Sequence, residues 1–165
     1  CSWIVARIGD CAFSDNGASL PEVVGRLLLS QKETIAVAES CTGGLVAHLL
    51  TSIPGSSGYF LFSGVTYSNN SKMNVLGVSE DTIFANGAVS QEVAREMALG
   101  TRKVAGSTYA VATTGIAGPC IGLAAPDGVE SITLELSFGD RGMNKRVFAF
   151  CALDMLRRKL LQGRK

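Results

Sequence analysis

The chain has 165 residues, which is enough for one hydrophobic core and too few for two. Hydrophobic residues make up 47% of it and charged residues 18%, a balance typical of a folded domain that argues against disorder. The 15 basic and 14 acidic residues leave a net charge of +1, which argues against nucleic acid as the main partner because such binding needs a concentrated basic face.

Apolar runs and cysteines narrow the class of protein further. The sequence has no uninterrupted run of about 18 apolar residues, so we expect no membrane-spanning helix. The five cysteines are odd in number and widely spaced, and the chain has one histidine, which argues against a Cys/His zinc site. Reduced thiols in a cytoplasmic protein fit these features best.

The predicted elements begin with a linker at residues 1–19, which ends in the turn-prone run Ser14-Asp15-Asn16-Gly17. A helix is predicted from Leu20 to Gln31, with Pro21 in its first turn. A strand at 34–38, a helix around 45–50 and a β-like stretch at 59–67 are predicted next. They are followed by helices at 71–76, 79–84 and 91–104, the last of which has Ser90 as its N-cap. The remaining elements are a strand at 108–113, a hairpin formed by 121–125 and 129–138, and a helix at 141–161. Alternating strands and helices predict an α/β fold: a single layered domain over residues 20–165, with a mixed β-sheet flanked by helices.

Two loops that follow predicted buried strands carry hydroxyl groups and glycines. After the first strand, Ser40 and Thr42 precede Gly43-Gly44 and a helix. Backbone N–H groups there could face an anion or an oxyanion, and the Ser40 hydroxyl could attack a carbonyl. The alternative is that Ser40 or Thr42 only caps the helix. The second loop, residues 114–119, has the same ambiguity and is weak evidence by itself.

A nucleophilic serine needs a base. The sole histidine, His48, lies about two turns beyond Ser40 in the predicted helix, so we expect it to point away and to form no Ser-His-Asp triad. Lysine and tyrosine remain, and the segment from Tyr67 to Lys72 offers both, unless it is only a solvated polar turn. Cys41 is an alternative nucleophile, because a helix N-terminus lowers a thiol pKa. Local sequence leaves open whether Glu39 orients a base.

Several blocks of the sequence, taken in order, resemble the C-terminal domain of the CinA proteins, also called the nicotinamide mononucleotide deamidase family. The resemblance covers about residues 20–161. The blocks are AESCTGGL at 38–45, PGSS at 54–57, Tyr67-Ser68-Asn69 with Lys72, LGV at 76–78, GAVS at 87–90, TGIAGP at 114–119 and GDR at 139–141.

The resemblance implies an enzyme that converts nicotinamide mononucleotide and water into nicotinic acid mononucleotide and ammonia, without a metal or organic cofactor. It implies Ser40 as the nucleophile, assisted in proton transfer by Tyr67 and Lys72. The implied substrate pocket is formed by Thr42, Gly43, Gly44, Asn69, Thr114, Gly115, Ile116, Ala117 and Gly118. Arg141 is expected to bind the ribose phosphate, because a guanidinium matches phosphate oxygens bidentately.

One departure from the family bears on activity. Family members carry a Gly-rich loop containing Lys-Pro-Val-Gly after the position of Gly118-Pro119, whereas here Cys120 is followed at once by Ile121. Either the chain lacks this loop, or it is a mobile lid whose residues are missing from the sequence so that the numbering closes over the gap; we favour the second. A real deletion would favour the alternative function, a non-catalytic ligand-binding or regulatory domain.

Two partners are also expected. Residues 1–19 loosely resemble the linker that joins this domain to a larger N-terminal domain in long CinA proteins. The apolar excess of a small domain favours a homo-oligomer, which also keeps open a third role as an assembly module.

Overall fold

The computed structural model of the chain describes residues 7, 9, 12–116, 118–135 and 138–162. Within them the strands are β1 (Ile35–Glu39), β2 (Phe60–Val65), β3 (Tyr109–Gly115), β4 (Pro119–Ala125) and β5 (Gly128–Thr133). The α-helices are α1 (Leu20–Gln31), α2 (Leu45–Thr51), α3 (Asn69–Leu76), α4 (Glu80–Asn86), α5 (Gln91–Ala105) and α6 (Arg141–Gln162). Each predicted helix and strand is found, and the bounds of α1 are those predicted.

The five strands form one mixed sheet in the order β2-β1-β3-β4-β5. β1 runs parallel to both β2 and β3, while β4 is antiparallel to β3 and to β5. All five residues of β1 are buried. A strand covered on both faces has a continuous apolar run instead of an alternating one, which is why the sequence pattern identified β1.

Helices cover both faces of the sheet, so the domain has three layers and confirms the predicted fold class. On one face α1, α2 and α6 pack against a core that includes Leu28, Val37 and Leu153. On the other face α5, supported by α3 and α4, packs against a smaller core around Met97 and Ala112. None of the helices in the described part of the chain is long and apolar enough to span a membrane.

Local interactions explain where several elements begin. The Ser90 side chain accepts a hydrogen bond from the Val93 N–H at 3.2 Å, which confirms the predicted N-cap of α5. Gly122 in β4 lets α5 approach the sheet closely, because a Cβ at this position would overlap the carbonyl oxygen of Ala94.

The second strand of the hairpin is shorter than predicted. It was expected to reach residue 138, but β5 ends at Thr133. Beyond it the Leu134 N–H donates to the carbonyl of Pro119, the first residue of β4, so further residues have no strand to pair with.

The described residues 12–19 form no helix or strand, and the Asn16 side chain closes a turn there by accepting from the Ala18 N–H at 3.1 Å. The assignment of residues 1–19 as an interdomain linker stays a prediction.

Candidate active site

A cavity of about 520 Å³ opens at the carboxyl ends of β1 and β3. Ligands of α/β proteins generally bind at this edge of the sheet, where loops and helix ends meet. The cavity brings together segments far apart in sequence: Ser40, Cys41, Tyr67, Asn69, Lys72, Ala88, Val89, Thr114, Gly115, Ile116, Gly139, Arg141, Asn144 and Lys145.

Ser40 and Lys72 form the chemical centre of this cavity. Ser40 directly follows β1, and its N–H donates to the Thr113 carbonyl at 2.9 Å, which extends the parallel pairing and fixes the backbone there. Lys72 lies in the first half of α3 and is only 2% exposed. Its Nζ donates to the Ser40 Oγ at 3.3 Å. The predicted pairing of a serine with a lysine is therefore present in the geometry.

Two backbone carbonyls orient the Lys72 amine. Its Nζ also donates to the carbonyl oxygens of Thr66 at 3.1 Å and Tyr67 at 3.3 Å. Carbonyls only accept hydrogen bonds, so a neutral amine that keeps both of these donates its two protons to them and directs its lone pair at the Ser40 Oγ. Burial lowers the pKa of Lys72 from its ordinary value, which favours this neutral form. The arrangement suits a base that removes the serine proton.

Glu39 is the last residue of β1, and its side-chain carboxylate lies at the N-terminus of α2. This carboxylate is 0% exposed and accepts three backbone hydrogen bonds, from the N–H groups of Gly44 (2.9 Å), Val46 (3.1 Å) and Ala47 (2.8 Å). The sequence left open whether this helix N-terminus faces a ligand anion or is only capped; the anion that these three groups bind is the protein's own carboxylate. Glu39 therefore anchors the turn that carries Ser40, and it does not contact the proposed base in any described interaction.

The residues after Ser40 take different places from those expected. Thr42 is buried and its Oγ1 shares a 2.7 Å hydrogen bond with the Thr113 Oγ1, so its side chain joins the turn after β1 to β3, and Thr42 is not among the lining residues. Gly44 is the N-cap residue of α2 and also lies outside the lining. Gly43, with φ of +59°, lies against the cavity residue Lys145: a Cβ built on Gly43 would be 2.8 Å from the Lys145 Nζ.

Cys41 and His48 were the alternatives considered for chemistry. Cys41 lines the cavity beside Ser40. Burial raises the pKa of the Cys41 thiol to about 11, the opposite of the shift expected at a helix N-terminus, because desolvation outweighs the nearby donors. His48 is exposed on α2 and lies outside the cavity lining, as predicted.

Tyr67, Asn69 and Arg141 lie at the cavity as expected. Tyr67 is 58% exposed, and its hydroxyl accepts a 2.6 Å hydrogen bond from the Arg141 Nη2. This contact joins the loop after β2 to the first residue of α6. Tyr67 therefore acts on the site in two ways, since its backbone carbonyl contacts Lys72 and its phenol holds Arg141. Asn69 is the first residue of α3 and is exposed.

The second predicted loop is a short turn between β3 and β4. Thr114 is buried, and its Oγ1 donates to the Ala88 carbonyl at 2.7 Å, which fixes the loop before α5 as a wall of the cavity. Gly115 and Ile116 line the cavity, and Ile116 is 86% exposed. Gly118 lies outside the lining, and Ala117 is not among the described residues.

A short connection stands where the family loop is expected, and the choice between a real deletion and missing residues stays a prediction. β4 runs from Pro119 to Ala125 without a break, and it pairs with β3 from Gly115↔Pro119 onward. Only residues 116–118 connect the two strands. A Cβ at Gly115 would lie 2.8 Å from the Pro119 Cα, so the lack of a side chain permits this tight connection.

Several cavity residues were missed by sequence reasoning: Ala88, Val89, Gly139, Asn144 and Lys145. Lys145 could have been found, because it lies four residues after Arg141 in a predicted helix and so shares its face. Among the described residues, no group of three His, Cys, Asp or Glu side chains could hold a metal ion. A larger groove of about 880 Å³ lies along α6 and β5, but it is mainly apolar and contains none of the predicted site residues.

Comparison with known proteins gives a consistent result. A sequence model of the CinA C-terminal domain matches residues 17–160. A CinA-like protein of Desulfosudis oleivorans is 58% identical over 173 residues, which cover 98% of this chain and 42% of the relative. Two solved structures have the same fold. Competence/damage inducible protein CihA of Agrobacterium tumefaciens has 31% sequence identity and a TM-score of 0.76, and the match covers 87% of this chain and 96% of that one. Competence damage-inducible protein A of Klebsiella pneumoniae has 26% sequence identity and a TM-score of 0.83, and the match covers 86% of this chain and 95% of that one.

Two facts about length accompany these matches. The chain spans about two fifths of the length of the curated relatives it matches. The stretch aligned with the Desulfosudis relative, 173 residues, is longer than this whole chain of 165, so the relative has residues there with no counterpart here. The homo-oligomer, the cytoplasmic location and the N-terminal partner domain stay predictions.

Proposed function

Because the chain belongs to the CinA C-terminal domain family, we propose that it is an amidohydrolase that converts nicotinamide mononucleotide and water into nicotinic acid mononucleotide and ammonia. The observation that carries this proposal is the 3.3 Å contact between the Lys72 Nζ and the Ser40 Oγ in a cavity at the carboxyl ends of the strands. A serine paired with a buried lysine is one of the arrangements that activate a hydroxyl nucleophile without histidine.

In the first half of the reaction, neutral Lys72 takes the proton from the Ser40 hydroxyl as the oxygen attacks the carboxamide carbon. The tetrahedral intermediate then collapses, and the bond from carbon to the amide nitrogen breaks. The Lys72 ammonium gives its proton to that nitrogen, so ammonia leaves and an ester of Ser40 remains. Lys72 is again neutral.

In the second half, water attacks the ester carbonyl and Lys72 takes a proton from it. The bond from carbon to the Ser40 Oγ breaks, and Lys72 returns the proton to this oxygen. The sum of both halves is amide plus water giving carboxylic acid plus ammonia, which ionise to carboxylate and ammonium in water, with Ser40 and Lys72 restored. The carbonyls of Thr66 and Tyr67 hold the Lys72 amine in place throughout, because they accept from it in either protonation state.

The neighbouring residues are assigned supporting roles. Tyr67 holds Arg141 at the cavity mouth, where its guanidinium binds substrate phosphate. Asn69, Thr114, Gly115 and Ile116 line the space in which the nicotinamide and ribose would lie. In this assignment Tyr67 positions a binding group, and the proton transfers belong to Lys72.

The test is turnover of nicotinamide mononucleotide by the purified chain, followed by separation of the acid product and by ammonia release. Ser40→Ala should abolish both while leaving the circular dichroism spectrum and the thermal midpoint close to those of the parent. Cys41→Ala is the matched control, because it removes the neighbouring nucleophile. Retained turnover in Ser40→Ala would refute the nucleophile assignment.

A second candidate is a non-catalytic domain that binds the mononucleotide. It is favoured by one observation: only residues 116–118 connect β3 and β4, where the exposed Ile116 leaves the cavity open. Water reaching an open site weakens the electrostatic stabilisation of a transition state. Saturable binding of the mononucleotide without acid product, in the parent chain, would support this candidate over the enzyme.

A further inference from the structure

Two cations lie on the same side of the cavity, on consecutive turns of α6. Arg141 and Lys145 are four residues apart in this helix, and both line the cavity. Residues at this spacing have neighbouring side chains, about 5–6 Å apart at their Cβ atoms. No Asp or Glu is present among the described residues that line the cavity. This side of the cavity is therefore positively charged without a carboxylate to balance it.

Lys145 has the environment of a ligand-binding cation. It is half-buried, and its Nζ lies against the turn after Ser40, at the space left by the missing side chain of Gly43. Within the described part of the chain, its ammonium makes no ion pair or hydrogen bond, although four other ion pairs are present there. A partly desolvated ammonium without an anionic partner costs free energy that a bound anion would recover.

Arg141 is only partly engaged. In the described residues its Nη2 donates to the Tyr67 hydroxyl, which leaves further N–H groups of the guanidinium free to donate. The Lys72 amine is held by Ser40 and two backbone carbonyls and is neutral in the proposed reaction, so it is separate from this pair. The available positive charge is thus that of Arg141 and Lys145.

We propose that Lys145 and Arg141 together bind a phosphate monoester dianion, and that Lys145 determines the preference for phosphorylated over unphosphorylated substrates. This rests on the proposed function, in which the ring carboxamide lies at Ser40. The two cations suit a dianion with three terminal oxygens: the guanidinium fork binds two of them, and the ammonium is a compact donor for another.

The experiment compares nicotinamide mononucleotide with nicotinamide riboside, which lacks only the phosphate. The variants are Lys145→Gln, which removes the charge and keeps the length, and Lys145→Arg, which keeps the charge. Arg146→Gln is the matched control, because Arg146 is the next residue of α6 but lines the apolar groove instead. Each protein is checked by circular dichroism.

Lys145→Gln should raise KM for the mononucleotide about 10- to 100-fold, as expected for losing a hydrogen bond to a charged group, with kcat little changed. KM for the riboside should change less than about twofold, because the riboside has no phosphate to lose. Lys145→Arg should restore most of the affinity, and Arg146→Gln should resemble the parent. Added salt should weaken mononucleotide binding more than riboside binding.

Binding in the Ser40→Ala background separates this proposal from the proposed function. Calorimetry with both ligands reports on the subsite even if the chain hydrolyses neither. A loss of mononucleotide affinity in Ser40→Ala/Lys145→Gln, with riboside affinity unchanged, supports the subsite. Equal losses of affinity for both ligands, or no loss for either, would overturn it. An equal fall of kcat for both substrates in Lys145→Gln would also overturn it, because Lys145 would then act on the carboxamide and not on the phosphate.

Discussion

Replacing Glu39 by glutamine tests whether this carboxylate anchors the turn that carries Ser40. Its Oε2 accepts from the Gly44 and Val46 N–H groups, and its Oε1 accepts from the Ala47 N–H. Glutamine has the same shape but one acceptor oxygen. Whichever way the amide is turned, its NH₂ group faces at least one backbone N–H, so at least one hydrogen bond is lost and two donors meet.

The magnitude follows from those contacts. A hydrogen bond to a charged group contributes about 1.5–3 kcal/mol, and an unsatisfied buried donor costs about 1–3 kcal/mol. We expect Glu39→Gln to lower the free energy of unfolding by about 2–4 kcal/mol, because some of these contributions overlap. Since small domains are stable by about 5–15 kcal/mol, the variant should still fold. With a urea m-value of about 2 kcal/mol/M, the unfolding midpoint should fall by about 1–2 M.

Urea unfolding followed by circular dichroism measures this change, and Glu135→Gln makes the same chemical replacement at an exposed position. The exposed variant should unfold within about 0.5 kcal/mol of the parent. Turnover by folded Glu39→Gln should also fall, because the turn carrying Ser40 loses its anchor. An unchanged midpoint with an unchanged m-value would refute the reasoning, since it would mean that the three N–H groups do not depend on the charge.

Further predictions concern the base, the thiol and the packing of the sheet. Burial lowers the pKa of Lys72 below 10.5, so kcat/KM should rise with pH up to that lowered pKa, and Lys72→Gln should abolish turnover. Because the unfolded chain holds its Lys72 proton up to higher pH, the free energy of unfolding should rise with pH between the two pKa values, and Lys72→Gln should remove this increment. The Cys41 thiol, with a pKa of about 11, should react slowly with iodoacetamide at pH 7, and Cys41→Ala should keep kcat/KM within roughly threefold of the parent. Gly122→Ala should destabilise the fold by about 1–3 kcal/mol or more in urea unfolding, because its Cβ would overlap the carbonyl oxygen of Ala94.

The layered fold was predictable because its signals are local. Pro21 in a first turn, the apolar run of β1 and the Ser90 N-cap each mark an element through residues that are neighbours in sequence. The end of β5 was not predictable in this way. Its length depends on how far β4 extends beside it, and β4 begins only at Pro119 because the connection to β3 is short.

The site was predicted in part. The resemblance to a family identified Ser40 and Lys72, and the structure brings their side chains to 3.3 Å although they lie 32 positions apart. Sequence reasoning alone left Lys72 among the polar residues of a turn, because burial of a lysine is not visible in a local pattern. The helix spacing from Arg141 could have placed Lys145 on the same face, but its contact with Gly43, about a hundred positions away, is not visible in a local pattern.

Glu39 shows why the same glycine pattern supports two opposite interpretations. A Gly-Gly pair before a helix predicts free N–H groups, and such groups are suited to an anion of the substrate. Here the carboxylate at the end of β1 has already bound three of the N–H groups of α2, so they cannot also stabilise an oxyanion formed at Ser40. Any stabilisation of that oxyanion must come from other donors that reach the cavity, and the cations Arg141 and Lys145 are the charged groups left for the substrate. The helix N-terminus thus fixes the position of the nucleophile, while charge on α6 is what remains to attract the ligand.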